Sequence, residues 1–145
     1  MRLYLPRYES SQPRYNLHTR APYEQELEPL CRKHGLGVIP YSALASGFLT
    51  GKYRSEKDFG KSPRGTGMKR YLEGRGLRVR AALDTVATKV GTTLAQVALA
   101  WLIARPSITA PIASATSLVQ LNKIISAARL KRDADAIKRL NEASA

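Results

Sequence analysis

Between residues 22 and 34, Tyr23, Leu27, Leu30 and His34 recur at spacings of three and four, the period that lines one face of a helix. Pro22 suits the first turn of that helix, and Gly35 is placed to stop it. The apolar run GVIPY at 37–41 is too short for a helix and reads as a buried strand. A second helical pattern over 71–90 sets Val79, Leu83, Val86 and Val90 on one face, with Gly91 at its end. Thr93 followed three residues on by Gln96 predicts a capping box, and Leu94, Val97, Ala98, Trp101 and Leu102 form a broad apolar stripe behind it. Residues 108–113 read as a strand that Pro111 keeps short. Ser117 with Gln120 repeats the capping signature ahead of Leu118, Leu121, Ile125 and Ala128 on one face, and Asp133 is placed to cap a last helix carrying Ile137 and Leu140. With a short strand at 8–12, the order is strand, helix, strand, long loop, two helices, strand and two helices, the rhythm of parallel α/β units.

The 145 residues, 43% hydrophobic and 24% charged, describe one globular domain over 1–145. No run approaches the ~20 apolar residues that span a bilayer. The first residues, MRLYLPRYES, lack the apolar centre of a secretory signal, so a cytoplasmic location without membrane partners is the expectation. Cys31 is the only cysteine, and neither it nor His18 and His34 sits at metal-ligand spacing; it reads as a small apolar side chain on a helix.

Charge changes the picture more. The formal charge is +13, and between Lys52 and Arg80 ten basic residues face three acidic ones, an excess of seven. Such a balance fits an anionic ligand, a nucleic acid or a solvated basic loop without a dedicated partner. No nucleic-acid motif accompanies it.

In α/β folds ligands gather at the carboxyl ends of strands, where helix amino termini offer unpaired N–H groups to anions. Three places answer that description: Gln12 with the loop after it, residues 41–52, and the turn 114–120. Tyr41 reads first as a core aromatic and second as a platform for a flat ring. Small residues at Ala43, Ala45 and Gly47 let the backbone of 42–47 approach a ligand, and Lys52 and Arg64 supply cations for phosphate. Gly51-Lys52 lacks the glycine spacing of a P-loop. No nucleophile triad, metal motif or carboxylate pair stands out, so no catalytic residue is assigned; Glu24, Glu26 and Glu28 read as the solvated side of a helix.

The segments LPRYESSQPRYNL, GLGVIPYSALASGFLTGKYR and LAQVALAWLIARPSITAPIASATSLVQL, in this order and spacing from about Leu5 to the end, resemble the carboxyl-terminal part of the aldo-keto reductases. These are NADPH-dependent oxidoreductases on a TIM barrel, and the resemblance is to the branch related to potassium-channel β subunits and general-stress reductases. It implies a partial TIM (β/α)8 barrel, its carboxyl-terminal half, with about three parallel strands and surrounding helices: the sixth strand at Gln12, the seventh at 37–41 and the eighth at 108–113. It implies that Gln12 holds the nicotinamide carboxamide and that Tyr41 stacks on the ring. Ser42, Ala43, Leu44, Ala45, Ser46 and Lys52 would wrap the pyrophosphate, with Arg64 closing over it from a basic loop at 52–70. Ser114, Thr116 and Gln120 would take the adenosine end with its 2′-phosphate. Ala43 stands where the family commonly has Pro, Ser114 where the branch has Gly, and Lys123 and Ile124 where an acidic residue and Asn are frequent.

A TIM barrel needs ~250 residues. The family's catalytic Asp, Tyr, Lys and His lie on earlier strands, so the chain reads as a truncated reductase, inactive alone, with MRLY suggesting a late-start reading frame. An aldehyde or ketone substrate enters only if the missing half is supplied. The alternatives are a half-barrel subunit or regulator that pairs with another chain or with itself, and, from charge alone, a nucleic-acid-binding module.

Overall fold

The computed structural model describes residues 6–131 and 133–145; Leu5, where the resemblance begins, lies outside them. Strand β1 (Ser10–Ser11) pairs in parallel with β2 (Gly37–Val38), and the same register continues to a bridge between Arg14 and Tyr41. Gly37, Ile39 and Tyr41 donate their N–H groups to the carbonyls of Glu9, Ser11 and Pro13, so the ladder extends beyond the regular strands. The expected strand at 108–113 is not regular. It lies beside β2 nonetheless: Thr109 and Ala110 both donate to the Val38 carbonyl and Ile112 to that of Pro40, while Thr109 Oγ1 accepts from the Val38 N–H. The shared Val38 acceptor marks one extra residue in the outer segment, which breaks strand regularity without breaking the pairing.

Alternation along this register puts Gln12, Arg14, Ile39, Tyr41, Ala110 and Ile112 on one face and Pro13, Tyr15, Val38 and Pro40 on the other. The second face is buried. The first is open, with Tyr41 46% and Ile112 40% exposed.

Helix α1 (Glu28–His34) follows a wider π-helical stretch, Pro22–Leu27, and Gly35 ends it in the left-handed conformation at φ 61°. The wider turn changes which side chains face inward: Tyr23 and Cys31 are buried, whereas Leu27 and Leu30 are exposed, contrary to the even spacing of their sequence positions. Helix α2 (Arg75–Val90) begins later than residue 71, because Gly65–Tyr71 forms 3₁₀ turns instead. Its Val79, Leu83 and Val86 are buried as the pattern predicts, Val90 is exposed, and Gly91 closes it at φ 70°. Helix α3 (Leu94–Ile103) opens with the full Thr93–Gln96 capping box. Helix α4 (Leu118–Ala127) has half of one: Ser117 Oγ accepts from the Gln120 N–H, but the Gln120 side chain turns back to Thr116. Its expected apolar face lies uncovered, with Leu118 77% and Ile125 52% exposed. Asp133 caps α5 (Ala134–Ser144) by accepting from Asp135.

The core is centred on Trp101, Tyr15 and Tyr23, whose rings approach within 4.5 Å (Tyr15–Tyr23) and 5.6 Å (Tyr15–Trp101). Beside it Glu24 is not a solvated residue as its sequence neighbours suggested. Its Oε1 accepts from the Tyr15 hydroxyl at 2.6 Å, from Arg20 Nε at 2.9 Å and from Arg105 at 3.2 Å, and its Oε2 from Arg20 at 3.0 Å. Both guanidinium groups lie 5.4 Å from the Trp101 ring centroid. Arg20 and Trp101 then reach the last helix through Ser144 and Asn141.

Candidate functional site

The loop that leaves β2 carries the densest local strain in the described chain. Ser42, Ala45 and Ser46 have φ of 58°, 48° and 57°, the left-handed region that side chains other than glycine seldom occupy. Gly47 follows at φ 98°. Only a well-determined surrounding keeps such a backbone, and such strain clusters at ligand clamps.

Asn16, fully buried in the loop after β1, supplies part of that surrounding. Its Nδ2 donates to the Ser42 carbonyl at 2.9 Å, while its Oδ1 accepts from the N–H groups of His18 and Thr19. Asn16 has no visible role in the sequence, since nothing local marks a contact made 26 residues away. Ala43 and Ala45 are buried and anchor the segment from below, with Phe48 and Leu49 next to them in the core.

The consequence is a set of backbone donors without acceptors. Ala45 and Gly47 close turns onto Ser42 and Leu44, but the N–H groups of Ser42, Ala43, Leu44 and Ser46 find no acceptor among the described residues. Successive free N–H groups in a turn of this kind make a concave anion site. Lys52 brings a full charge to it: a Cβ built on Gly47 would stand 3.0 Å from Lys52 Cε and 3.4 Å from Nζ. The same ammonium lies 4.9 Å from the Tyr53 ring centroid.

The basic region is a folded element rather than a solvated run. Tyr53, Met68 and Tyr71 are buried. Asp58 accepts from the N–H groups of Arg54 and Ser55, and the pairing with Lys61, followed by those two N–H groups, holds its carboxyl well below the usual range. Arg54 clamps the region onto α2 through two bonds to Asp84, at 2.9 and 2.7 Å. Gly65 permits the return, since a Cβ there would lie 1.8 Å from the Phe59 carbonyl oxygen. Arg64, just before it, is exposed and forms no ion pair among the described residues.

The remaining expected residues fall at two other points. Gln12 is exposed on the same sheet face as Tyr41, two residue pairs short of it. Tyr41 is therefore not the core aromatic that residue chemistry favoured; its ring is half open at the strand end. Ser114 and Thr116 are exposed at the approach to α4, where Gln120 Oε1 accepts from Thr116 N at 2.9 Å and Thr116 Oγ1 at 3.0 Å. That bond orders the turn and leaves the Gln120 amide nitrogen without an acceptor among the described residues. Gln12 and the β2 loop are joined by the sheet itself, and 109–112 leads from its other side to the 114–120 turn. No described contact ties Arg64 to any of them.

These features sit within a chain whose residues 6–145 match the Aldo/keto reductase family. A probable voltage-gated potassium channel subunit beta of Arabidopsis thaliana is 37% identical over 117 residues, covering 77% of this chain and 36% of its own. Aldo-keto reductase yakc [NADP(+)] of Schizosaccharomyces pombe is 27% identical over 133 residues, covering 85% of this chain and 39% of its own. Among solved structures, the thermostable aldo-keto reductase Tm1743, in complex with the inhibitor epalrestat, superposes with a TM-score of 0.66 at 26% identity over 91% of this chain and 38% of that one. The chain thus spans well under half the length of these relatives. With every described residue inside the matched region, the chain belongs to the aldo/keto reductase family.

Proposed function

We propose that the chain is the cofactor-holding, carboxyl-terminal part of an NADP(H)-dependent aldo-keto reductase, three adjoining parallel strands of a (β/α)8 barrel with their loops. The observation that carries the reading is the β2 loop: free N–H groups at Ser42, Ala43, Leu44 and Ser46, with the Lys52 ammonium beside Gly47. That donor set matches a pyrophosphate, which presents several anionic oxygens to successive amides and one cation. Tyr41, half exposed at the strand end, offers the ring face that nicotinamide needs, and Gln12 an amide on the same sheet face. Ser114, Thr116 and Gln120 at the start of α4 would meet the adenosine 2′-phosphate, and Arg64 would cover the pyrophosphate.

NADPH, when bound, supplies a hydride. Reduction of a carbonyl also needs a proton donor at its oxygen. Among the described residues no carboxylate, nucleophile or acid–base pair is joined by a hydrogen bond at the open face, so in this reading the chain binds cofactor and the proton donor comes from elsewhere. Titrating the purified chain with NADPH tests this reading. Saturable enhancement of the dinucleotide's emission, with protection against heating, is the expected result; no binding and no protection sink it.

A second reading rests on the uncovered apolar faces. Leu118, Val119, Leu121 and Ile125 lie exposed on α4, and Tyr41 and Ile112 on the open sheet face. Singly exposed apolar residues are ordinary, but a stripe of them marks an interaction surface. In this reading the chain is an interaction subunit that pairs with another chain or with itself. Light scattering after size exclusion distinguishes the cases for self-pairing: a strict monomer at micromolar concentration removes it.

A further inference from the structure

Beside Tyr41, on the same sheet face, lies a cationic cluster that the cofactor reading does not use. Arg14 pairs across the ladder with Tyr41 itself and donates from Nη2 to the Tyr71 hydroxyl at 3.0 Å. Arg70 donates to the same hydroxyl oxygen at 3.3 Å, with its guanidinium 4.9 Å from the Tyr71 ring centroid. Arg75 donates to the His18 carbonyl, and the His18 ring meets Tyr71 edge-on at 4.7 Å. Two guanidinium groups and an imidazole thus contact one phenol, with the third guanidinium on the backbone of the same His18.

None of Arg14, Arg70 and Arg75 forms an ion pair among the described residues, although Arg54, Lys61 and Lys69 in the neighbouring basic loop find Asp84, Asp58 and Glu56. A phenol oxygen has lone pairs for both guanidinium donors but brings no charge to offset theirs. The platform is rigid: Tyr71 is buried and stacks on Phe48, at 5.0 Å and 14°, directly below the strained β2 loop. The His18 imidazole registers the imbalance. Burial, followed by Arg75, Arg14 and Arg70, holds it below its ordinary value, with no carboxylate acting on it in return.

Like charges gathered without a counterion on a rigid support describe a site that an oxyanion completes. We propose that Arg14 and Arg70 at the Tyr71 hydroxyl, with Arg75 at His18, form an oxyanion site beside Tyr41, which takes the carboxylate or phosphate of an acidic carbonyl substrate. The oxyanion site stands on the cluster alone; its assignment to a substrate rests on the cofactor reading, in which nicotinamide occupies Tyr41.

The probes are inorganic phosphate and acetate, added at constant ionic strength while the ring resonances of the two histidines are followed by NMR. Saturable displacement of His18, with His34 unmoved, is expected, and with phosphate and acetate compared the stronger anion names the preferred group. Arg14→Gln and Arg70→Gln each weaken the His18 response by about tenfold, as the loss of a charge-assisted contact requires; Arg78→Gln leaves it unchanged. Equal drift of both histidines, or a His18 response indifferent to Arg14→Gln, overturns the site. Repeating the titration with saturating NADPH tests the assignment: a retained response supports a substrate subsite, whereas competition by NADPH gives the cluster to the cofactor and overturns the substrate claim. Failure of NADPH to bind, with the phosphate response intact, removes the cofactor reading and the substrate assignment but leaves the oxyanion site standing.

Discussion

Replacing Glu24 by Gln keeps the shape of the side chain and an oxygen for the Tyr15 hydroxyl, and removes only the charge that Arg20 and Arg105 share. The two guanidinium groups, at 15% and 22% side-chain exposure, are then left facing Trp101 without an anion. Breaking a fully buried pair from one side costs about 3–5 kcal/mol. Water reaches part of this one, since Glu24 is 21% exposed, so about 2 kcal/mol is the fitting magnitude. For a chain of this size that lowers Tm by about 4–8 °C. Urea unfolding followed by the emission of Trp101, the single tryptophan, reads the loss directly. The pH dependence gives an independent check. Burial pushes the Glu24 carboxyl up, but the bonds from Arg20 and Tyr15 and the charge of Arg105 outweigh it and hold the group below its ordinary value of 4.5. Its stabilisation is therefore complete above the unfolded value and is lost as pH falls through the lower folded one. The gap between wild type and Glu24→Gln closes accordingly in acid. A loss under about 0.5 kcal/mol at pH 7, in the range of exposed pairs, refutes the claim that Glu24 organises this core.

Gly47→Ala puts a Cβ at φ 98° and 3.0 Å from Lys52 Cε, so it lowers stability by about 1 kcal/mol in urea melts and weakens NADPH binding by displacing the ammonium. Thr93→Ala removes the complete capping box of α3 and costs about 1 kcal/mol by the same assay. Ser46→Gly relieves a left-handed serine and is neutral to stabilising, within about 1 kcal/mol, while leaving the free N–H in place. Acid also titrates His18, whose lowered value, due first to burial and then to Arg75, Arg14 and Arg70, means that its neutral form is favoured in the fold. That contribution is complete above about pH 6.5 and fades as pH falls through the folded value; Arg14→Gln raises the His18 midpoint in an NMR titration.

Elements whose signals are local were legible in the sequence. The Thr93–Gln96 box, the Asp133 cap and the helix-ending glycines Gly35 and Gly91 all depend on residues within a few positions of one another. The apolar face of α4 is legible as a face, and no element among the described residues covers it. Features that depend on distant partners were not legible. The π-helical turn at Pro22–Leu27 shifts which side chains face inward, so Leu27 and Leu30 fall outside the core. Glu24 looks like its solvated neighbours until Arg105, 81 residues on, arrives beside it. Around the site, small residues and cations at 42–52 were visible as types, but not the left-handed backbone that frees their N–H groups. Asn16 and the Arg14–Tyr71 contact join segments that only tertiary folding brings together.

The central claim is that the β2 loop holds the cofactor's pyrophosphate through its own backbone. Amide NMR of the 15N-labelled chain, with and without NADPH, addresses those donors one by one. The account predicts that the amides of Ser42, Ala43, Leu44 and Ser46 move downfield together and more than the remainder of the chain, with a common saturation curve that Lys52→Gln shifts to higher NADPH concentration. Those four amides remaining unmoved by saturating NADPH, whether or not others respond, contradicts it.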